Sequence, residues 1–208
     1  MVRVLAFVVT ALIVATSSRA GADVLVLYGD VQGGGMFGKG TSGDAAVKDQ
    51  AFFANVPNVA YGAAVSARFL FLGATIQHHQ YNDGSDLATW TQITGGLDFA
   101  INLGSDQEKK AGKGAFLQVG AGAGFGVGTG QQVEPPLDNA QVDDKAFLIE
   151  AKLAVGKHLS KFVDFGVMVP VAYGYFFKNG VPANDLDNHY QGIHAEALVF
   201  LRLRLKLL

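Results

Sequence analysis

The chain has 208 residues, half of them hydrophobic, with 16 basic and 18 acidic side chains, a formal net charge of −2 and no cysteine. That balance excludes the concentrated positive charge a nucleic-acid partner requires. Without cysteine there is neither a disulfide framework nor thiol chemistry.

Met1 to Arg3 precede an apolar run from Val4 to Ala15, and small residues follow to an A-x-A site at Ala20 to Ala22. This pattern predicts a secretory signal peptide over 1–22, exported through the Sec pathway and cleaved before Asp23. The run is shorter than the roughly 20 residues of an anchor helix. Removing it leaves 14 basic against 18 acidic side chains. Without cysteine, 23–208 must be held together by backbone pairing and packing, and no later run reaches the roughly 18 consecutive apolar residues of a membrane helix.

Asp23 to Val31 is rich in β-formers, but both its rows are apolar until Asp30, so its faces are not distinguishable. Glycines at 33–35, 38 and 40 follow, and then a polar stretch, Gly40 to Asn58, reads as a long loop. From Tyr61 to Leu72, Tyr61, Val65, Phe69 and Phe71 share one face, and Arg68 stands in a row of small residues on the other. Gly73-Ala74 reads as a tight turn, after which Gln77 and His79 share a face of a strand from Thr75 to Tyr81. Asn82 to Asp86 is a turn cluster.

Thr89 to Leu103 sets Ile93, Leu97, Phe99 and Ile101 against Trp90, Gln92, Thr94 and Asp98. Ser105 to Gly114 is a short basic turn. Ala115 to Gly130 alternates Leu, Val, Ala and Phe with glycine, and Gln131 to Lys145, with Pro135 and Pro136, reads as a long acidic loop. Glycines from 120 to 130 are all even-numbered, so G-x-G-x-x-G cannot occur there and nucleotide binding is excluded. Phe147 to Lys157 opposes an apolar row to Glu150 and Lys152; Val163 to Phe177 opposes aromatic and β-branched residues to small ones. Asn179 to Asn188 is a further loop. The closing stretch from His194 alternates Leu201, Leu203, Leu205 and Leu207 with Arg202, Arg204 and Lys206.

About eight strands joined by alternating long and short connections, with no competing helical period, define an all-β chain. The fold expected for 23–208 is an eight-stranded antiparallel up-and-down transmembrane β-barrel. A soluble sheet would place its Lys- and Glu-rich row outside. Here the polar row is glycine and alanine with isolated ions, and the other row is an apolar band no soluble globule exposes. Arg68, Asp98, Glu150, Lys152, Glu196, Arg202 and Arg204 are therefore expected as a paired ionic network filling a narrow lumen. Aspartates gather at the long-loop end, and Lys109, Lys110, Lys113, Lys157 and Lys161 at the other. Tyr61, Tyr81, Trp90, Phe147, Tyr173, Tyr175 and Phe177 are expected as an interfacial girdle.

The leader, the alternating connections and the amphipathic last strand resemble small outer-membrane barrels of the OmpA and OmpX type. The resemblance implies an outer-membrane location, contact with lipid and lipopolysaccharide, and insertion by the barrel-assembly machinery of a Gram-negative cell. The assembly signal of such barrels usually ends in an aromatic residue, whereas this chain ends in Leu207 and Leu208.

The expected function is non-catalytic, serving envelope structure or binding an extracellular partner through acidic loops at Asp138, Asn139, Asp143, Asp144, Asp185, Asp187 and Asn188. Leu-Asp-Asn repeats at 137–139 and 186–188; the two Asp-Asn pairs read as Asx turns rather than a Ca²⁺ site, and no metal or cofactor is expected. His78, His79 and Ser85 with Asp83 and Asp86, and His189 beside Asp187, leave a lipid-modifying hydrolase or acyltransferase as the alternative. The glycines of the inner row leave a narrow ion or small-solute leak as another.

Overall fold

A computed structural model of the chain describes residues 25–43, 45–49, 58–83, 86–132, 141–179 and 189–207. The expected signal peptide over 1–22, Ser85 and the loop residues Asp138, Asn139, Asp185, Asp187 and Asn188 lie outside the described residues. Eight strands run in chain order: β1 Leu25–Gly43, β2 Asn58–Phe69, β3 Leu72–Asp83, β4 Asp86–Asn102, β5 Gly114–Gln132, β6 Gln141–His158, β7 Val163–Asn179 and β8 His189–Lys206. Two short helices, α1 Ala45–Lys48 and α2 Asp106–Lys110, sit in the connections after β1 and β4. Every strand pairs antiparallel with its sequence neighbours, and β1 pairs with β8, so the sheet is a closed barrel without edges.

Alternation decides which residues face out. On β8, Leu201, Leu203 and Leu205 are 50 to 62% exposed while Arg202 and Arg204 are 3% and 6% exposed. The outward residues of β6 between Lys145 and Lys157 are Phe147, Ile149, Ala151, Leu153 and Val155. At about 3.3 Å per residue and a tilt of about 40°, that interval spans roughly 30 Å along the barrel axis, the height of a hydrocarbon layer.

The sequence reading needs correction in three places. β1 does not end before the glycine run but continues through Gly33–Gly35 to Gly43, because β2 pairs with it as far as Met36 and β8 as far as Gly43. The β2–β3 hairpin turns at Leu70 and Phe71 rather than Gly73-Ala74, with Phe69 opposite Leu72 and Leu70 in the left-handed region at φ 55°. Gly73 is instead an inward strand residue, where a Cβ would come within 2.7 Å of the Asp98 Cβ. Tyr81 and Trp90 are not in the outer girdle, since their strand parity turns both inward and leaves them fully buried.

At the short-turn end, the turn after β4 is ordered by a capping box. The Ser105 side chain accepts from the Glu108 backbone N–H, and the Glu108 carboxylate accepts from the Ser105 N–H at 2.8 Å. That backbone hydrogen bond, followed by one from the Ser105 hydroxyl, holds the Glu108 carboxyl below its usual range. Lys109, Lys110, Lys113, Lys157 and Lys161 are all exposed at this end, as expected.

Candidate functional site

The inward row builds a hydrogen-bonded polar ribbon around the lumen. Arg202 of β8 donates from Nε to Asp30 Oδ1 at 2.7 Å and from Nη2 to Oδ2 at 2.8 Å, a bidentate pair with both side chains buried. Its Nη1 donates to Gln118 Oε1 at 2.7 Å, and Gln118 Nε2 donates to both Asp98 oxygens at 2.8 and 2.9 Å. Lys152 completes that branch, with Nζ 3.1 Å from Asp98 Oδ2. In the other direction Gln32 donates to Asp30, and the Gln32 carbonyl meets His79 Nε2 at 2.8 Å. Glu196 then accepts from Gln77 at 2.9 Å and lies 3.3 Å from His79 Nδ1 and 2.9 Å from His194 Nε2. Buried charges are thus met by charges and amides rather than left alone, which is what makes their burial tolerable.

Apolar clusters interleave with this ribbon along the lumen; on β8, Leu198 and Phe200 stand between Glu196 and Arg202. Toward the long loops, Met36, Tyr81, Trp90, Leu148, Phe176 and Tyr190 form one buried cluster, with the Phe176 and Tyr190 rings stacked at 4.8 Å. Tyr190 donates its hydroxyl to Asp144 at 2.9 Å, and Trp90 donates to Gln92, which donates to Glu150 at 2.6 Å. Gly126 sits against the six-membered ring of Trp90, where any Cβ would overlap the indole. Inward glycines therefore make room for aromatic plugs as much as for ions. Toward the short turns lies a second cluster of Phe116, Ala154, Met168, Leu198 and Phe200. A pocket of ≈ 20 Å³ beside Asp98, Glu150 and Lys152 has room for about one water.

Of the residues expected in the lumen, Asp98, Glu150, Lys152, Glu196, Arg202 and Arg204 are all inward. Asp98 meets Lys152, but Arg202 and Arg204 find carboxylate partners outside the expected set. Arg202 takes Asp30, and Arg204 takes Asp164, which lies 3.4 Å away and also bonds His158 Nδ1 at 2.6 Å. Arg68 makes no ion pair among the described residues and lies 5.8 Å from the Tyr28 ring centroid at the short-turn end. Sequence reasoning passed over Asp30, Asp164, His158, His194 and the four inward glutamines. Parity was the available signal: inward residues are even-numbered on every strand except β3, where the two-residue turn at Leu70-Phe71 switches the count.

Two loop expectations change. Asp143 and Asp144 belong to β6, not to a loop; Asp143 is exposed, but Asp144 turns inward and is fully buried. The histidines are not gathered at a rim. His79 is buried with both ring nitrogens engaged, His78 faces outward and bonds Thr91 at 2.8 Å, and His189 stacks on Tyr175 at 5.2 Å.

No protein-family model matches the chain, and no curated protein matches it. Among solved structures it is similar to Neisserial surface protein A, at 12% identity over 90% of this chain and 100% of that one, with a TM-score of 0.48. It is also similar to the outer membrane protein OprG from Pseudomonas aeruginosa, at 9% identity over 88% and 96% with a TM-score of 0.48. Ail, the attachment invasion locus protein of Yersinia pestis, follows at 11% identity over 86% and 98%, with a TM-score of 0.34. The eight-stranded topology itself rests on the strand pairing.

Proposed function

We propose that the chain is a non-catalytic outer-membrane β-barrel whose sealed body supports the envelope and presents its long loops for surface interaction. The observation that carries this reading is the inversion of its surfaces: an apolar band faces out and a paired ionic ribbon faces in. A lipid environment accounts for both, since it solvates the outward leucines, valines and phenylalanines and tolerates no unpaired strand edge. Stacked aromatic and ionic layers across the lumen favour a plug over a channel. The engagement of His79 inside that plug favours a structural part for it over a base at a rim.

On this reading residues 1–22 direct export, lipid and lipopolysaccharide surround the belt, and the barrel-assembly machinery inserts the chain. The loops around 44–57, 133–140 and 180–188 meet any extracellular partner. Membrane fractionation followed by gel migration with and without boiling tests it. A compact, boiling-sensitive form in the outer-membrane fraction is expected, and a soluble protein with one mobility would overturn it. Deleting 133–140 or 181–187 should leave that compact form intact while abolishing surface binding.

A further inference from the structure

At the short-turn end the lumen opens into a pocket of ≈ 80 Å³, lined among others by Tyr28, Arg68, Asn102, Gln118, Arg202 and Arg204. β2, β1 and β8 stand side by side here: Arg68 pairs with Val26, which pairs with Lys206, and Tyr28 pairs with Arg204. Three guanidiniums therefore converge on one cavity, against two carboxylates that are already committed. Asp30 is held bidentately by Arg202, and Asp164 is shared by His158 and Arg204.

Two donors at this pocket are left over. The Nε atoms of Arg68 and Arg204 are both buried and have no hydrogen-bond partner, and Arg204 as a whole is only 6% exposed. The rest of the Arg204 guanidinium is occupied, with Nη2 donating to the Ser160 carbonyl at 3.1 Å and Nη1 3.4 Å from His158 Nε2. A buried donor without an acceptor is costly, and a charged one more so. Arg68 in addition carries a charge that no carboxylate among the described residues balances.

We propose that this pocket is a binding site for a small tetrahedral oxyanion of phosphate type, reached from the short-turn side of the barrel. Guanidinium groups match such oxygens in geometry and charge. The volume accepts one ion of that size or a few waters and is too small for a sugar or nucleotide. Tyr28 forms part of the wall, with the Arg202 guanidinium 4.6 Å from its ring centroid and that of Arg68 at 5.8 Å. The oxyanion would satisfy both orphan Nε donors. The same chemistry is offered by free inorganic phosphate and by the phosphate of an anionic lipid headgroup at the rim.

The test is calorimetric titration of the full barrel, refolded in zwitterionic detergent, with inorganic phosphate against chloride at matched ionic strength. Boiling-sensitive gel mobility is checked first, so that failure of the barrel reading is seen separately from failure of the site. Saturable one-to-one phosphate binding is expected, weakened about tenfold or more in Arg68→Gln, since a charge-assisted hydrogen bond is lost. Arg68→Lys, which keeps the charge, should retain part of it. Arg68 forms no ion pair among the described residues, so Arg68→Gln should leave gel mobility unchanged. Vesicles containing phosphatidylglycerol, compared with phosphatidylcholine alone, form the second arm. Competition by the anionic vesicles would make the headgroup the source, and its absence would leave free phosphate. No saturable heat above the chloride control, or equal heat in Arg68→Gln, would mean that the pocket holds water only.

Discussion

Asp30 and Arg202 stand directly opposite each other across the seam where the first strand meets the last, and their bidentate pair ties the two ends of the chain together. The residues are 172 positions apart in sequence, so this contact exists only once the sheet has closed on itself.

Removing one partner strands the other. Asp30→Ala should cost about 3 to 5 kcal/mol, because Arg202 would stay buried without its counter-ion. Asp30→Ala with Arg202→Met should recover much of that loss, which urea unfolding of the protein folded into lipid vesicles would measure. Equal destabilisation in the single and double variants would mean that the seam does not depend on charge.

Leu203 is 62% exposed on the outward face of β8. A cation there meets hydrocarbon, so Leu203→Arg should cost roughly 2 to 4 kcal/mol and reduce the compact gel form after refolding into vesicles. Normal insertion would mean that the strand is inside out.

Trp90 is the single tryptophan of the chain and is fully buried in the long-loop plug. Its emission should be blue-shifted and resist quenching by acrylamide. Gly126→Leu should expel the indole, shifting the emission red and raising quenching, because any side chain at 126 overlaps the ring.

The capping box gives one pH-dependent element outside the belt. The Glu108 carboxyl is held below its ordinary value, so its contribution to the α2 turn is present at neutral pH and is lost as pH falls through the lowered value. The Ser105 amide should therefore lose protection, measured against its intrinsic exchange rate at each pH, as the solution is acidified, and Glu108→Gln should flatten that dependence.

Much of the barrel was legible because strand alternation is a local property. β8 could be read from Leu201 to Lys206 alone, and Arg202 and Arg204 were assigned inward from parity. What could not be read was register between distant strands. Asp30 stood at the point where β1 first shows a polar residue, but nothing local says that it faces Arg202 across the closing seam. Asp164 hid in a row of small residues, and its partner His158 is the last residue of β6, just beyond the alternation that ends at Lys157. The β2–β3 turn was misplaced because glycine is the usual marker of positive φ, whereas here Leu70 adopts it. Trp90 and Tyr81 look like interfacial aromatics by type; only the parity of their strands, shared with Gln92 and His79, puts them inside.

The most direct test of the central claim, a membrane barrel with a sealed lumen, is single-channel recording. Protein whose boiling-sensitive mobility has been verified would be reconstituted into planar bilayers, with a general porin as positive control. The ionic ribbon and the Trp90 plug predict no unitary conductance steps under conditions where the porin conducts. Stable, ion-selective steps from the folded barrel would contradict the account.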